Sequence, residues 1–266
     1  MPEGDTLRRT AAALRPRLVG NTVVSAQPAR VARLQGHRVD AVEANGKHLL
    51  MRFDKDLVLH SHMRMTGSWH IYAVGERWRK PTRLASAVLT FADVVAVAFS
   101  VPVLELTRDP REQVGHLGPD ILGDDFDPLE SVHLARLSDR TELGDLLLDQ
   151  RVCAGIGNIY KCETMWLHRA NPWLLTETLG DDELAGMYAT ARRLMKQSVE
   201  GMGFARRAVH ARGHRPCPRC ATPVAVRAQG VLGRLTYYCP RCQGGPNDLS
   251  RRGRAASSTP ATARPT

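Results

Sequence analysis

No apolar run in the chain reaches the ~18 residues that a membrane-spanning helix needs. The N-terminus lacks the long apolar core of a secretory signal, so a cytoplasmic protein is expected. No internal repeat is present. Cysteine is sparse, six in 266 residues, and four of the six form two tight pairs. In a cytoplasmic chain that spacing speaks against a disulfide framework and for a metal site. Acid is nearly missing from residues 203–254, which hold eleven arginines and one acid, Asp248, hence +10. The whole chain is also +10, so its basic character belongs to the C-terminal part. A focused patch of this kind is the electrostatic footprint of nucleic-acid binding; the plainer reading is a solvated basic tail.

What is present organises the chain. Its length suffices for one large domain or two modest ones. Leu7, Ala11 and Leu14 recur at helical spacing behind Asp5, predicting a capped helix that reaches about Pro16. Strand patterns follow at 22–26, 38–43, 48–53 and 57–61, and 86–91 with 94–99 reads as a hairpin turning at Ala92-Asp93. Residues 118–128 are rich in Gly, Pro and Asp and read as a linker. Beyond them the pattern turns helical at 142–148, 158–168 and 181–199. The last carries Leu184, Met187, Tyr188, Ala191, Leu194 and Met195 on one face. Residues 250–266 read as disordered.

Four features carry chemistry. Cys217-Pro-Arg-Cys220 and Cys239-Pro-Arg-Cys242 offer four thiolates to one Zn²⁺, with 224–227 and 234–238 as the strands between. Four protein ligands leave no open position, so this zinc is expected to be structural. Cys153 and Cys162 stand apart and are expected to be buried thiols without chemistry. Residues 146–160 read as helix, tight turns, helix, with Gly155 and Gly157 allowing close approach of a phosphate and Asn158 available to cap the helix or bind that phosphate. Lys47 precedes an apolar strand. Met65, beside Arg64, is either a core residue or a wedge for a base stack. Finally, the chain opens Met1-Pro2-Glu3-Gly4. Removal of Met1 would leave Pro2 with a free secondary amine. That amine is a strong nucleophile, with Glu3 beside it for proton transfer; α-amino groups titrate at roughly 7.7–8.0.

Together these residues resemble the formamidopyrimidine-DNA glycosylase / endonuclease VIII family. Pro2-Glu-Gly, Gly46-Lys47, His62–Gly67, His116-Leu-Gly-Pro-Asp120, Leu147–Tyr160 and the ribbon ending at Gln243 stand in the family's order. The resemblance spans Pro2 to about Gln243. It implies an α+β multidomain fold: an N-terminal β-sandwich with a flanking helix, then a helix–two-turn–helix domain carrying a zinc-ribbon hairpin. The expected division is 1–119, a linker at 120–130, 131–212 helical, 213–246 ribbon and 247–266 tail. It also implies roles. Pro2 is the Schiff-base nucleophile and Glu3 the proton shuttle. Lys47 assists β-elimination and Arg234 δ-elimination. Asn158 contacts phosphate, and Arg64, Met65 and Thr66 enter the base stack. The ligands of one structural zinc are Cys217, Cys220, Cys239 and Cys242. The implied substrate is damaged DNA, acted on by a monomer in the cytoplasm and nucleoid without a small-molecule cofactor.

Asp5-Thr6 departs from the Pro-Glu that many relatives carry, and Glu163 is the acid that could cover for it. Gly4 with Asp5-Thr6 resembles the endonuclease VIII branch and predicts oxidised pyrimidines. His62–Gly67 looks closer to the purine branch, as does Arg108-Asp-Pro-Arg111, an echo of that branch's opposite-strand loop. Rival readings are a non-catalytic DNA-binding ribbon protein and an RNA-binding one.

Overall fold

The computed structural model of the chain describes residues 2–139, 142–201, 207–231 and 233–248. The expected tail beyond 248 lies outside them. Helix α1 (Gly4–Leu18) comes first, then strands β1 (Ser25–Gln27), β2 (Val39–Asn45), β3 (His48–Phe53), β4 (Val58–His62), β5 (Ser68–Ala73), β6 (Ala85–Thr90), β7 (Val94–Phe99) and β8 (Val103–Thr107). They form two antiparallel sheets, ordered β1-β6-β7-β5 and β2-β3-β4-β8. Strand alternation explains the layering. Leu49, Met51 and Phe53 of β3 meet Ala87 and Leu89 of β6 and Ala96 and Ala98 of β7 in one core. The run Val94–Phe99 is buried along its whole length. Its other face, Val95, Val97 and Phe99, packs in a separate cluster with Tyr72 and Trp78.

Helix α1 covers this core with Leu7, Ala11, Leu14 and Leu18. It runs past Pro16, the expected end. Pro16 removes one N–H, but Ala12, whose carbonyl loses its partner, lies on the exposed face. Asp5 is not the cap. Glu3 holds the N-cap position, and Asp5 sits buried in the first turn, accepting from Ser198 Oγ at 2.6 Å. Strands β5 and β8 were not legible in the pattern, because polar residues interrupt both.

The second half contains α2 (Arg111–Val114), α3 (Pro128–Leu137), α4 (Leu143–Leu146), α5 (Asn158–Leu167) and α6 (Asp181–Val199). Asp127 caps α3 through the Leu129 N–H at 2.9 Å, with Pro128 in its first turn. Leu184, Met187, Tyr188, Ala191 and Met195 of α6 join Tyr160, Met165 and Leu146 in a second core. Ile121 and Leu122, from the segment expected to be a linker, are buried in that core too.

The hairpin of β9 (Ala225–Gln229) and β10 (Arg234–Tyr238), followed by α7 (Pro240–Gln243), lies on α5. Asn158 Nδ2 donates to the Leu235 carbonyl at 2.8 Å. The wholly buried Lys161 donates to Thr236 Oγ1 at 2.8 Å, and that hydroxyl donates to Gln229 Oε1 at 2.8 Å. Gln229 Nε2 then reaches Glu142 and the Pro172 carbonyl. Gln229 stands directly across the hairpin from Arg234, so this chain of hydrogen bonds fixes the strand that carries Arg234.

Candidate active site

Three backbone segments distant in sequence meet here. The Gly4 N–H donates to the Gly155 carbonyl at 3.0 Å, seating the start of α1 on the turn before α5. The β2–β3 turn reaches the same place. Gly46 has φ +55°, and a Cβ there would press on Ala154, so only glycine lets the turn approach. Its neighbour Lys47 donates from Nζ to the Ile156 carbonyl.

Glu3 is 1% exposed. Its Oε1 accepts the Ile159 N–H at 2.9 Å, so a carboxyl from the chain's first residues caps α5, which has no cap of its own. A side chain at Gly157 would occupy the place of this carboxyl. Oε2 is buried with no hydrogen-bond partner among the described residues. Burial raises the Glu3 pKa above the ordinary carboxyl value, against the opposing pull of the Ile159 N–H and Lys47. The group therefore holds a proton more readily than a surface glutamate. Burial pushes Lys47 down to about 8, with Arg234 adding to the shift and Glu3 opposing it. A lysine at that value is a usable base near neutrality.

These groups open on a cavity of about 730 Å³ lined by Pro2, Lys47, Asn158 and Arg234. His62, Arg64 and Met65 form a further part of its wall. Met65 is 60% exposed, and it is Met63 that enters the core. Arg64 adopts φ +50°, and its N–H donates to His62 Nδ1 at 3.1 Å. That bond leaves the hydrogen on His62 Nε2. Burial first, then Arg64 and Lys47, hold His62 down to about 4, so the ring is a neutral donor at physiological pH. Gln150, unread in the sequence, braces the turn. It donates to the Ile156 carbonyl at 3.0 Å and accepts from the Gly155 N–H at 3.0 Å.

Other expected residues are placed differently. Thr66 is exposed and does not line the cavity. Asn158 does not cap α5, whose N-cap residue is Gly157. Glu163 does not compensate for Asp5-Thr6. Its carboxylate is committed to the N–H groups of Ala208, Val209 and His210. Arg111 is folded onto Asp109 at 2.7 Å. Cys153 and Cys162 are buried, and burial holds both thiols above their ordinary value.

The sulfurs of Cys217, Cys220, Cys239 and Cys242 lie within 4.8 Å of one another. A tetrahedral Zn²⁺ with bonds of about 2.3 Å sets its sulfurs about 3.8 Å apart, so the four residues fit such an ion. The small cluster around them contains few apolar side chains besides the cysteines, including Val209 and Val224.

Residues 1–102 match the model of the formamidopyrimidine-DNA glycosylase N-terminal domain, and residues 117–208 that of the formamidopyrimidine-DNA glycosylase H2TH domain. The chain is 41% identical to the probable endonuclease 8 2 of Streptomyces coelicolor, over 92% of this chain and 95% of that one. It is 36% identical to the DNA-(apurinic or apyrimidinic site) lyase Nei2 of Mycolicibacterium smegmatis, over 91% and 99%. Among solved structures, the MutM (Fpg) protein of Thermus thermophilus matches with a TM-score of 0.77 at 29% identity, over 92% and 99%. By sequence and by fold, the chain belongs to the formamidopyrimidine-DNA glycosylase and endonuclease 8 family.

Proposed function

We propose that the chain is a bifunctional DNA glycosylase and abasic-site lyase of base-excision repair, removing oxidised bases with pyrimidines favoured. One observation carries this reading: Pro2, Lys47 and Arg234 line a single cavity, with the Glu3 carboxyl buried behind Pro2. The endonuclease 8 names of the similar proteins from Streptomyces and Mycobacterium support the endonuclease VIII branch, from which oxidised pyrimidines are inferred.

A damaged base is flipped out of the duplex, and damage lowers the cost of unstacking it. With Met1 removed, the Pro2 amine attacks C1′. The bond from C1′ to the base breaks, and the base leaves with a proton supplied through Glu3. The Pro2 nitrogen gives up its proton, O4′ takes one as the C1′–O4′ bond breaks and the sugar ring opens, and an iminium joins Pro2 to C1′. This cation acidifies the C2′ hydrogen, which neutral Lys47 removes as the C3′–O bond breaks. Loss of the C4′ proton then expels the C5′ phosphate, with Arg234 holding that phosphate. Asn158 contacts phosphate beside the cavity. Arg64 and Met65 fill the space the base vacates, with Thr66 behind them in the same loop.

The proposed organisation assigns the sandwich to 1–119, a connector to 120–130, the helical unit to 131–212 and the ribbon to 213–246. The chain is proposed to act as a monomer. No helix among the described residues is long and apolar enough to cross a membrane.

Two tests follow from the site. The elimination step, followed after Schiff-base formation, should speed up about tenfold from pH 7 to a plateau above pH 8, as Lys47 loses its proton. Lys47→Arg keeps the charge but not the titration, so its profile should be flat; a retained limb would exclude Lys47 as the base. Zn²⁺, bound by the four cysteines, would clamp the ribbon and stay out of the reaction. Stripping the metal, with loss confirmed by elemental analysis, should weaken binding to an abasic-analogue duplex by on the order of 10–100-fold as Arg234 loses its support. Unchanged affinity in the metal-free protein would exclude that role.

A further inference from the structure

We propose that Asp5 is a positioning residue for the reaction above: through Ser198 it latches the N-terminal segment onto α6 and so fixes where Pro2 and Glu3 stand. This rests on the functional reading above, and it assigns a task to the residue at which the chain departs from the Pro-Glu of many relatives. A chain end frays unless it is tied down, and here the chain end carries the proposed nucleophile. Two of its ties, Glu3 to the Ile159 N–H and Gly4 to the Gly155 carbonyl, both go to the start of α5 or the turn before it. A segment held only there could still pivot. Asp5 supplies a third point, on a different helix.

The latch is buried on both sides. Asp5 lies in the first turn of α1 and Ser198 in the last turn of α6, and each is only 6% exposed. The 2.6 Å bond from Ser198 Oγ to Asp5 Oδ2 has the length of a charge-assisted bond from a hydroxyl to a carboxylate. It spans 193 residues. Arg9, one turn further along α1, reaches the same oxygen at 3.4 Å. A proline at position 5 would offer Ser198 no side-chain acceptor.

Tyr160, 1% exposed on α5, joins the latch to the seat of Glu3. Its N–H faces the Glu3 carboxyl, and its phenol faces Asp5 and Ser198. Burial first, then the Asp5 charge, hold that phenol above its ordinary value, so it stays a neutral O–H. A carboxylate latched here is also fixed beside Glu3. The other titratable groups that face Glu3 are Lys47 from the β2–β3 turn and Lys161 and Cys162 from α5. Burial is the main reason that Glu3 holds its proton; Asp5 adds to it and Lys47 opposes it. One residue thereby aims the amine and helps to keep its acid protonated.

Two variants of the full chain, each with Met1 removed, separate position from charge. Ser198→Ala breaks the latch and leaves the Asp5 charge. At saturating abasic DNA its borohydride-trapped adduct should form about tenfold more slowly, while its affinity for a duplex with a tetrahydrofuran abasic analogue should hold. Asp5→Asn keeps an acceptor for Ser198 and removes the charge. Its trapping rate should stay within about threefold of normal. Its release of an oxidised pyrimidine should lose rate earlier as pH rises, the descending limb moving down by about 0.5–1 pH unit, because Glu3 then ionises more readily. An adduct formed at the normal rate by Ser198→Ala overturns the proposal, as does an unmoved limb in Asp5→Asn. A loss of DNA affinity that matches the loss of rate overturns it too, since the residue would then only hold the fold together. Failure of the unaltered protein to form any adduct would instead overturn the functional reading itself.

Discussion

An N-terminal extension that leaves Met1 in place should reduce borohydride trapping on abasic DNA to background. The extension turns the Pro2 nitrogen into an amide, which lacks the free electron pair that attacks C1′. Pro2→Gly is the milder form of the test. It keeps a primary amine but loses the ring that fixes its direction, so the trapped adduct should form about 10²–10³-fold more slowly. DNA affinity should be nearly unchanged in both proteins, because phosphate contacts dominate binding. A trapped adduct formed at the normal rate by the extended protein would remove Pro2 from the mechanism and leave a binding protein of this fold.

Glu3→Gln should separate the two activities. Glutamine keeps an oxygen for the Ile159 N–H, so the seat on α5 survives. It cannot deliver a proton. Release of an oxidised pyrimidine should fall about 10²–10⁴-fold, while cleavage of a preformed abasic site should stay within about tenfold. The pH dependence has a definite sign. The acid form does the work, so base release declines as pH rises through the raised pKa of Glu3. Glu3→Gln should lose that limb. Equal loss of base release and abasic-site cleavage would mean that Glu3 holds the site together without carrying the proton.

The residues proposed to carry the chemistry were legible because each belongs to a short motif with a mechanical reason. Pro2 follows a removable methionine, Lys47 follows a turn glycine, and the four cysteines have ligand spacing. The seating of Glu3 was not legible. Its partner is a backbone N–H 156 residues away, and any residue except proline could supply that group. The partnership of Lys161, Thr236 and Gln229 was hidden for a similar reason. A lysine on a helix is ordinarily read as exposed, and only the docked ribbon buries it. Pro16 does not end α1, because the carbonyl it leaves unpaired, that of Ala12, faces solvent, and which face meets solvent is set by the fold and not by the local pattern.

The long span from Glu3 to Ile159 also bears on when the proposed site is assembled. Glu3 is translated well before the helix end that receives it, which follows 156 residues later. The amine proposed as nucleophile is thus made before its acid is in place and before a cavity surrounds it. On the proposed mechanism the proton donor takes up its position only after the chain has looped back over 156 residues. On the proposed mechanism, cutting competence is thereby tied to completion of folding, so a half-folded copy would carry the nucleophile without an assembled means of breaking the DNA strand.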